Sequence, residues 1–308
     1  MKTALLFAGQ GSQTVGMGRD LCEKYDACRK LFTQANEILG RDLQKICFAG
    51  PEDALTKTDN AQPGIYLTSL ACLEALKFRI PNLTFDATAG LSLGEFTALA
   101  AADAVSFDDG LRMVQMRGRF MQEACDATTG GMASIMNLDD AALAGVCREA
   151  DVDIANINCP GQTVISGDRA KIARAVELAK ARGAKRAIPL VVAGAYHSRL
   201  MEGAKVKVAG ALANLPMREP KVPVVSNVTA RPAASVAEIK DLLVRQVTSP
   251  VRWSESMQWL VAQGFTRFIE LGPGNVLSGL MKRINKDVEM LSVSDSATLE
   301  AAVNKLTG

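Results

Sequence analysis

Short apolar runs bounded by Gly or Pro alternate along this chain with longer segments of helical period. That pattern predicts strands joined by crossover helices in a parallel sheet. The first run, residues 3–7, reads as a strand closed by the Gly-rich turn Gly9-Gln10-Gly11-Ser12-Gln13. Residues 70–77 have helical period, 87–90 approach the end of another strand, and 94–102, rich in Ala and Leu, read as a buried helix. Ser92 therefore falls at a strand-to-helix turn.

From about residue 131 to 189 the texture changes. Residues 132–136 are strand-like, 139–149 helical, 152–157 and 163–166 strand-like, 170–182 helical, and 184–190 a last strand. The order βαββαβ is that of the ferredoxin-like split unit, long enough to be a small domain inserted into a larger one. Residues 222–226 and 267–271 then predict two more strands, with helices at 237–247 and 254–263. The expected division is a large α/β domain from residues 1–128 and 191–308, interrupted by a small domain at 129–190.

Composition narrows the function classes. With 308 residues, 48% hydrophobic and 22% charged, the chain can bury a substantial core. Its net charge of +2 is too balanced for the broad electrostatic footprint of a nucleic-acid binder, though a local basic patch stays open. Cys22, Cys28, Cys47, Cys72, Cys125, Cys147 and Cys159 are odd in number, spread out and never in C-x-x-C spacing. They suit reduced thiols in a cytoplasmic enzyme, with neither disulfide nor metal expected. The N-terminal apolar run is shorter than a signal-peptide core, and no apolar stretch reaches the about 20 residues that span a bilayer. A soluble protein with no membrane association is expected.

Four segments carry candidate chemistry. Gly90-Leu91-Ser92-Leu93-Gly94-Glu95 fits G-x-S-x-G, a tight turn that presents a serine at the top of a strand and the start of a helix. The same letters also fit a plain Gly-Ser helix start. His197 is the one imidazole in the chain, and a serine hydroxyl at neutral pH needs a base, so a catalytic Ser92 nearly forces His197 into that role unless a Lys or carboxylate takes it. The Gly9–Gln13 turn lacks both the P-loop Lys and the full G-x-G-x-x-G fingerprint. An oxyanion-hole amide near Gln10 is therefore a better reading of it than nucleotide binding, with a simple glycine turn as the alternative. Arg117, in an otherwise apolar-periodic helix, is either a solvated charge or a planar fork for a substrate carboxylate.

Together these segments resemble the malonyl-CoA:acyl-carrier-protein transacylases and the related acyltransferase domains of fatty-acid and polyketide synthases. The similarity runs nearly the whole length: GQGSQ, GLSLGEF around Ser92, MRGRFMQEA around Arg117, NCPGQTVISG from Asn158, GAYHSRLM around His197, SPVRW near Pro250 and ELGPGNVLSGL from Glu270. The resemblance implies an α/β-hydrolase-like large domain with a ferredoxin-like insert and an active site in the cleft between them. It implies that Ser92 takes the malonyl group from malonyl-CoA, and that His197 serves as base in a ping-pong exchange with the phosphopantetheine thiol of acyl carrier protein. By the same resemblance, Gln246 orients the histidine through its main-chain carbonyl, and the amides of Gln10 and Leu93 form the oxyanion hole. Arg117 pairs with the malonyl carboxylate, and Asn158 and Gln62 line the channel. No cofactor or metal, and a monomer, are what the family implies.

Three positions depart from the family pattern: Leu91 where His is usual, Ala8 for Pro, and Tyr196 for Phe. A serine esterase or thioesterase remains a reading of G-x-S-x-G alone, although Arg117 and the βαββαβ insert argue against it. Leu91 makes a non-catalytic carrier-docking module conceivable. Lys185, Arg186 and Arg283 are candidates for a basic rim facing an acidic carrier protein.

Overall fold

An internal parallel strand is buried on both faces, and β1 (Lys2–Phe7) meets that condition, with Leu5, Leu6 and Phe7 all inaccessible to solvent. The computed structural model describes residues 1–308. In it, β1 is the middle of a five-stranded, wholly parallel sheet. On one side lie β2 (Ala87–Gly90) and, further out, a short Val224–Val225 strand; on the other lie Phe265–Leu271 and, at the edge, Glu289–Val293. The predicted strand at 222–226 shrinks to two residues, because Pro223 has no amide hydrogen for the ladder. The edge strand Glu289–Val293 was not among the expected elements. Its residues are mostly half-buried, so it lacks the continuous apolar run that marks a central strand.

The predicted helix at 70–77 is the interior of a much longer one, Thr58–Arg79. Pro63 and Gly64 argue for a break there, yet tertiary packing overrides them. Seventeen of the helix's residues are buried, and Gly64 lets the backbone press against Met17 and Cys47. All seven cysteines are free and buried.

The βαββαβ segment forms a separate four-stranded antiparallel sheet from Gly130–Met136, Asp153–Cys159, Gln162–Asp168 and Arg186–Pro189. Its spatial order is second, third, first, fourth, the ferredoxin-like arrangement, and it has an apolar core of its own. One edge is stitched to the main body: Ile157 donates to the carbonyl of Val251 at 2.9 Å, and Val251 donates to Ala155 at 2.8 Å. The SPVRW segment is this seam. No helix is long and apolar enough to cross a membrane.

The carboxyl ends of the parallel strands converge, as is usual for α/β ligand sites. Gln10 follows β1, Ser92 follows β2, and Asn227 follows Val224–Val225. The close approach at Ser92 depends on two glycines. A Cβ on Gly90 would stand 1.9 Å from the Gly94 carbonyl carbon, and one on Gly94 would stand 2.2 Å from the Phe7 oxygen. Gly203, within the helix Glu202–Ala213, has open space instead. Gly90→Ala is expected to destabilise by about 3 kcal/mol or more through backbone overlap. Gly203→Ala is expected to stabilise by about 0.5–1 kcal/mol through reduced chain entropy. Denaturant midpoints of the two variants test the contrast, and a neutral Gly90→Ala would show that the elbow is not sterically closed.

Candidate active site

The turn after β2 holds Ser92 at φ 53° and ψ −104°, a conformation that a side-chain-bearing residue adopts only under constraint. The constraint is a set of hydrogen bonds. Ser92 N donates to Asn227 Oδ1 at 2.7 Å, Asn227 Nδ2 donates to the Gly90 carbonyl at 2.8 Å, and Leu91 N donates to Phe7 O at 3.1 Å. Asn227 thus clamps both sides of the elbow. The helix Leu93–Ala101 begins immediately afterwards, so the Leu93 amide has no intrahelical acceptor and lies at the positive end of the helix, next to Ser92. The Gln10 amide, in the glycine turn after β1, likewise has no acceptor in the protein.

His197, also at positive φ (56°), is buried beside the serine, with Ser92 Oγ 2.8 Å from Nε2. Its Nδ1 lies 2.8 Å from the main-chain carbonyl of Gln246, which can only accept, so Nδ1 carries the hydrogen and Nε2 is left bare to receive one. The carbonyl occupies the place that a carboxylate fills in Ser-His-Asp sites. Burial, and secondarily the nearby Arg117 charge, push the imidazole down to about 4, so it is neutral at pH 7.

Arg117 is completely buried, at the end of a network of uncharged partners. Nη1 donates to Gln62 Oε1 at 2.7 Å, and Nη2 donates to Gln246 Oε1 at 2.9 Å and to Ser92 Oγ at 3.0 Å. Its Nε has no partner, and the guanidinium lies over the Phe96 ring at 5.4 Å. Burial lowers the guanidinium to about 10, still cationic at neutral pH. Beneath it, Glu95 Oε2 accepts from Gln246 Nε2 at 2.7 Å and from Asn227 N at 3.1 Å. Gln246 therefore serves the site at three atoms: its carbonyl on the histidine, its Oε1 on the arginine and its Nε2 on the glutamate.

A cavity of about 280 Å³ opens between the two sheets onto Ser92 and His197. Gln10, Gln62, Leu91 and Tyr196 line it from the turns, helix and loop packed about the large sheet, and Asn156, Asn158 and Met132 from the strands of the small one. Leu91 thus gives the cleft an apolar wall beside the nucleophile. The Tyr196 hydroxyl sits 2.6 Å from Thr58 Oγ1 and accepts from Gln10 Nε2 at 3.3 Å, tying the histidine loop to the glycine turn.

All eight expected site residues, Ser92, His197, Gln246, Gln10, Leu93, Arg117, Asn158 and Gln62, meet at this cleft or in the shell beneath it. The basic rim does not assemble in the same way. Lys185 and Arg186 lie at the far end of their strand from cavity-lining Leu190, about 16 Å away at strand rise. Arg283 reaches cavity-lining Gln162, but its guanidinium is engaged there, donating to Gln162 Oε1 at 2.9 Å and to Pro160 O at 3.1 Å. Asn227 and Glu95 were missed as functional candidates. Asn227 directly follows an expected strand end, and Glu95 belongs to the serine motif, but nothing in their spacing announces a buried truss. No group of three or more His, Cys, Asp and Glu side chains converges to hold a metal ion.

A strained serine, a neutral histidine held by a carbonyl, two free amides and a buried arginine define a site for acyl transfer through an acyl-serine. Residues 4–302 match the acyl transferase domain family, and the chain belongs to it. It is 47% identical to the malonyl CoA-acyl carrier protein transacylase of Bacillus subtilis, with 99% of this chain and 97% of that one covered. To the Haemophilus influenzae transacylase of the same name it is 40% identical, covering 97% of each. Among solved structures, the acyl-carrier-protein S-malonyltransferase of Bartonella henselae superposes with a TM-score of 0.95 at 39% identity over the full length of both chains. A malonyl-transacylase solved in complex with a type II PKS acyl-carrier protein superposes with a TM-score of 0.95 at 38% identity, covering 99% of this chain and 100% of that one.

The histidine's low proton affinity has two measurable consequences. Acylation of Ser92 by an activated ester is expected to lose kcat/KM along an acid limb near pH 4 instead of near 6.5, and Arg117→Met is expected to move that limb upward. Stability changes in the matching sense. The unfolded histidine binds its proton near 6.5 and the folded one near 4, so the unfolded state takes up protons first, and this contribution is lost as pH falls from about 6.5 to 4. A limb at 6.5 that Arg117→Met leaves unmoved would count against a buried, cation-depressed imidazole.

Proposed function

We propose that this protein is an acyl-carrier-protein S-malonyltransferase, moving malonyl groups from malonyl-CoA to the phosphopantetheine thiol of acyl carrier protein for fatty-acid elongation. The observation that carries the reading is Arg117 Nη2 standing 3.0 Å from the nucleophilic oxygen, a buried cation within reach of any carboxylate attached to an acyl-serine. In this reading Ser92 Oγ gives its proton to His197 Nε2 as it attacks the thioester carbonyl. The oxyanion is met by the amides of Gln10 and Leu93, and the histidine returns the proton to the departing CoA thiolate. The carrier thiol then repeats the steps in reverse. The carboxylate of the acyl group, paired with Arg117, offsets the charge that adds to burial in holding the imidazole down, so a dicarboxylic acyl group raises the basicity of its own catalyst.

Asn158 and Gln62 border the channel, and exposed Leu190, Val191 and Val276 give its mouth an apolar lip suited to the pantetheine arm. The reading uses no cofactor beyond the two thioester substrates, treats 129–190 as the inserted domain, and takes the protein as a cytoplasmic monomer. Brief mixing with malonyl-CoA is expected to add one malonyl group per chain by intact mass, with none on Ser92→Ala. Arg117→Ala is expected to lower kcat/KM for malonyl-CoA about a hundredfold, the scale of a lost charged hydrogen bond, and that for acetyl-CoA far less. No adduct on a folded parent protein would falsify the transferase reading.

A further inference from the structure

Glu95 is the one buried carboxylate of the site, and the acyl-transfer steps leave it without a task. It is shielded from solvent, and its Oε2 is joined to the Arg117 guanidinium through a single side-chain amide: Gln246 Nε2 donates to Glu95 at 2.7 Å, while Gln246 Oε1 accepts from Arg117 at 2.9 Å. No other anion is linked to Arg117. In the free protein Glu95 is therefore the counter-charge that makes a buried guanidinium tolerable.

An acyl group that carries its own carboxylate to Arg117 changes this balance, leaving two anions around one buried cation. We propose that Glu95 is an exchangeable counter-ion: it is ionised while the acyl pocket is empty and takes a proton from solvent when a carboxylate-bearing acyl group pairs with Arg117. This rests on the malonyl-transfer reading and adds to it a proton that enters with the substrate. Burial already raises Glu95 to about 7, so above that pH it is mostly ionised in the free protein, and a second anion drives it toward the neutral form. An acyl group without a carboxylate leaves Arg117 in need of Glu95 and brings in no proton.

Arg117, from the helix Phe107–Asp126, is the one charged group that acts on Glu95. The helix Val236–Gln246 presents neutral Gln246 to it, and that helix's Arg245 pairs with Asp241 at the surface. The segment after Val224–Val225 presents Ser226 and Asn227, and the helix Thr58–Arg79 presents Gln62 to the same guanidinium. Lys2 is at the opposite end of β1, bonded to the carbonyl of Gln263. His197 and Tyr196, the remaining titratable groups of the site, are neutral throughout this range, burial holding the imidazole down and pushing the phenol up to about 12.

The test is calorimetric binding to the Ser92→Ala protein, which cannot be acylated, in buffers of differing ionisation enthalpy. Malonyl-CoA binding at pH 8 is expected to take up close to one proton per site, and acetyl-CoA none; the comparison cancels protons belonging to the CoA phosphates. Glu95→Gln in the same background is expected to abolish the difference in proton uptake between malonyl-CoA and acetyl-CoA. Independently of that variant's folding, kcat/KM of the parent for malonyl-CoA, relative to acetyl-CoA, is expected to fall up to tenfold per pH unit above about 7. Equal proton counts for the two thioesters, or a difference that survives Glu95→Gln, or a flat selectivity ratio, overturns the counter-ion role. If the parent still forms a malonyl adduct, only that role is lost. Failure of the parent to be acylated at all removes the transferase reading on which it stands.

Discussion

A guanidinium sealed from solvent has to be compensated atom by atom, and the arrangement around Arg117 is a worked solution to that requirement. A buried arginine facing apolar walls costs several kcal/mol. Here Gln62 and Gln246 supply oxygen acceptors, the Ser92 hydroxyl supplies a third, the Phe96 ring covers one face, and Glu95 returns the charge through an amide. Nε is left without a partner. A fully satisfied arginine would be a structural cation. One with an open donor, beside a nucleophilic oxygen, is poised for another acceptor.

The same cation sets the behaviour of its neighbours. It helps to keep His197 neutral, and it donates to the serine hydroxyl, which makes loss of the hydroxyl proton easier. A histidine depressed to about 4 is a weak base by itself, so the serine side of the proton transfer has to contribute. In the proposed mechanism the contribution is electrostatic, from a cation and two free amides at the oxygen atoms that gain charge. An acidic third residue behind the histidine would add a further anion to a site that already balances Glu95 against Arg117, and the Gln246 carbonyl orients the ring without one.

Much of the fold was legible in the sequence because its strands follow simple burial rules. Central parallel strands such as β1 are continuous apolar runs, and the strands of the small sheet alternate with clearly amphipathic helices, so βαββαβ could be read directly. The edge strand Glu289–Val293 could not, since half-buried residues carry neither signal. The helix Thr58–Arg79 was underestimated because Pro63 and Gly64 are local breakers whose cost is met by packing that only the assembled chain supplies. Docking charges were the least legible part. Lys185 and Arg186 are basic and exposed, but their position at one end of a strand, far from the cleft, depends on register.

Within the site, legibility followed chemistry. Ser92, His197 and Arg117 are residue types with few reasons to stand where they do, and the structure brings the three together. Asn227, Glu95 and the side chain of Gln246 work through hydrogen bonds to groups 19 to 154 residues away, and a common polar residue bonded at long range leaves no periodic trace. Those links hold the site rigid. Asn227 clamps the elbow, the elbow aims the serine, and Gln246 fixes the ring, the guanidinium and the glutamate together. A nucleophile at φ 53° sits in a sparsely populated backbone conformation that the surrounding contacts must over-determine. Its geometry is therefore held by a closed loop of buried bonds, Ser92 to Asn227 to Glu95 to Gln246 and back to the Ser92 carbonyl, and not by any one of them.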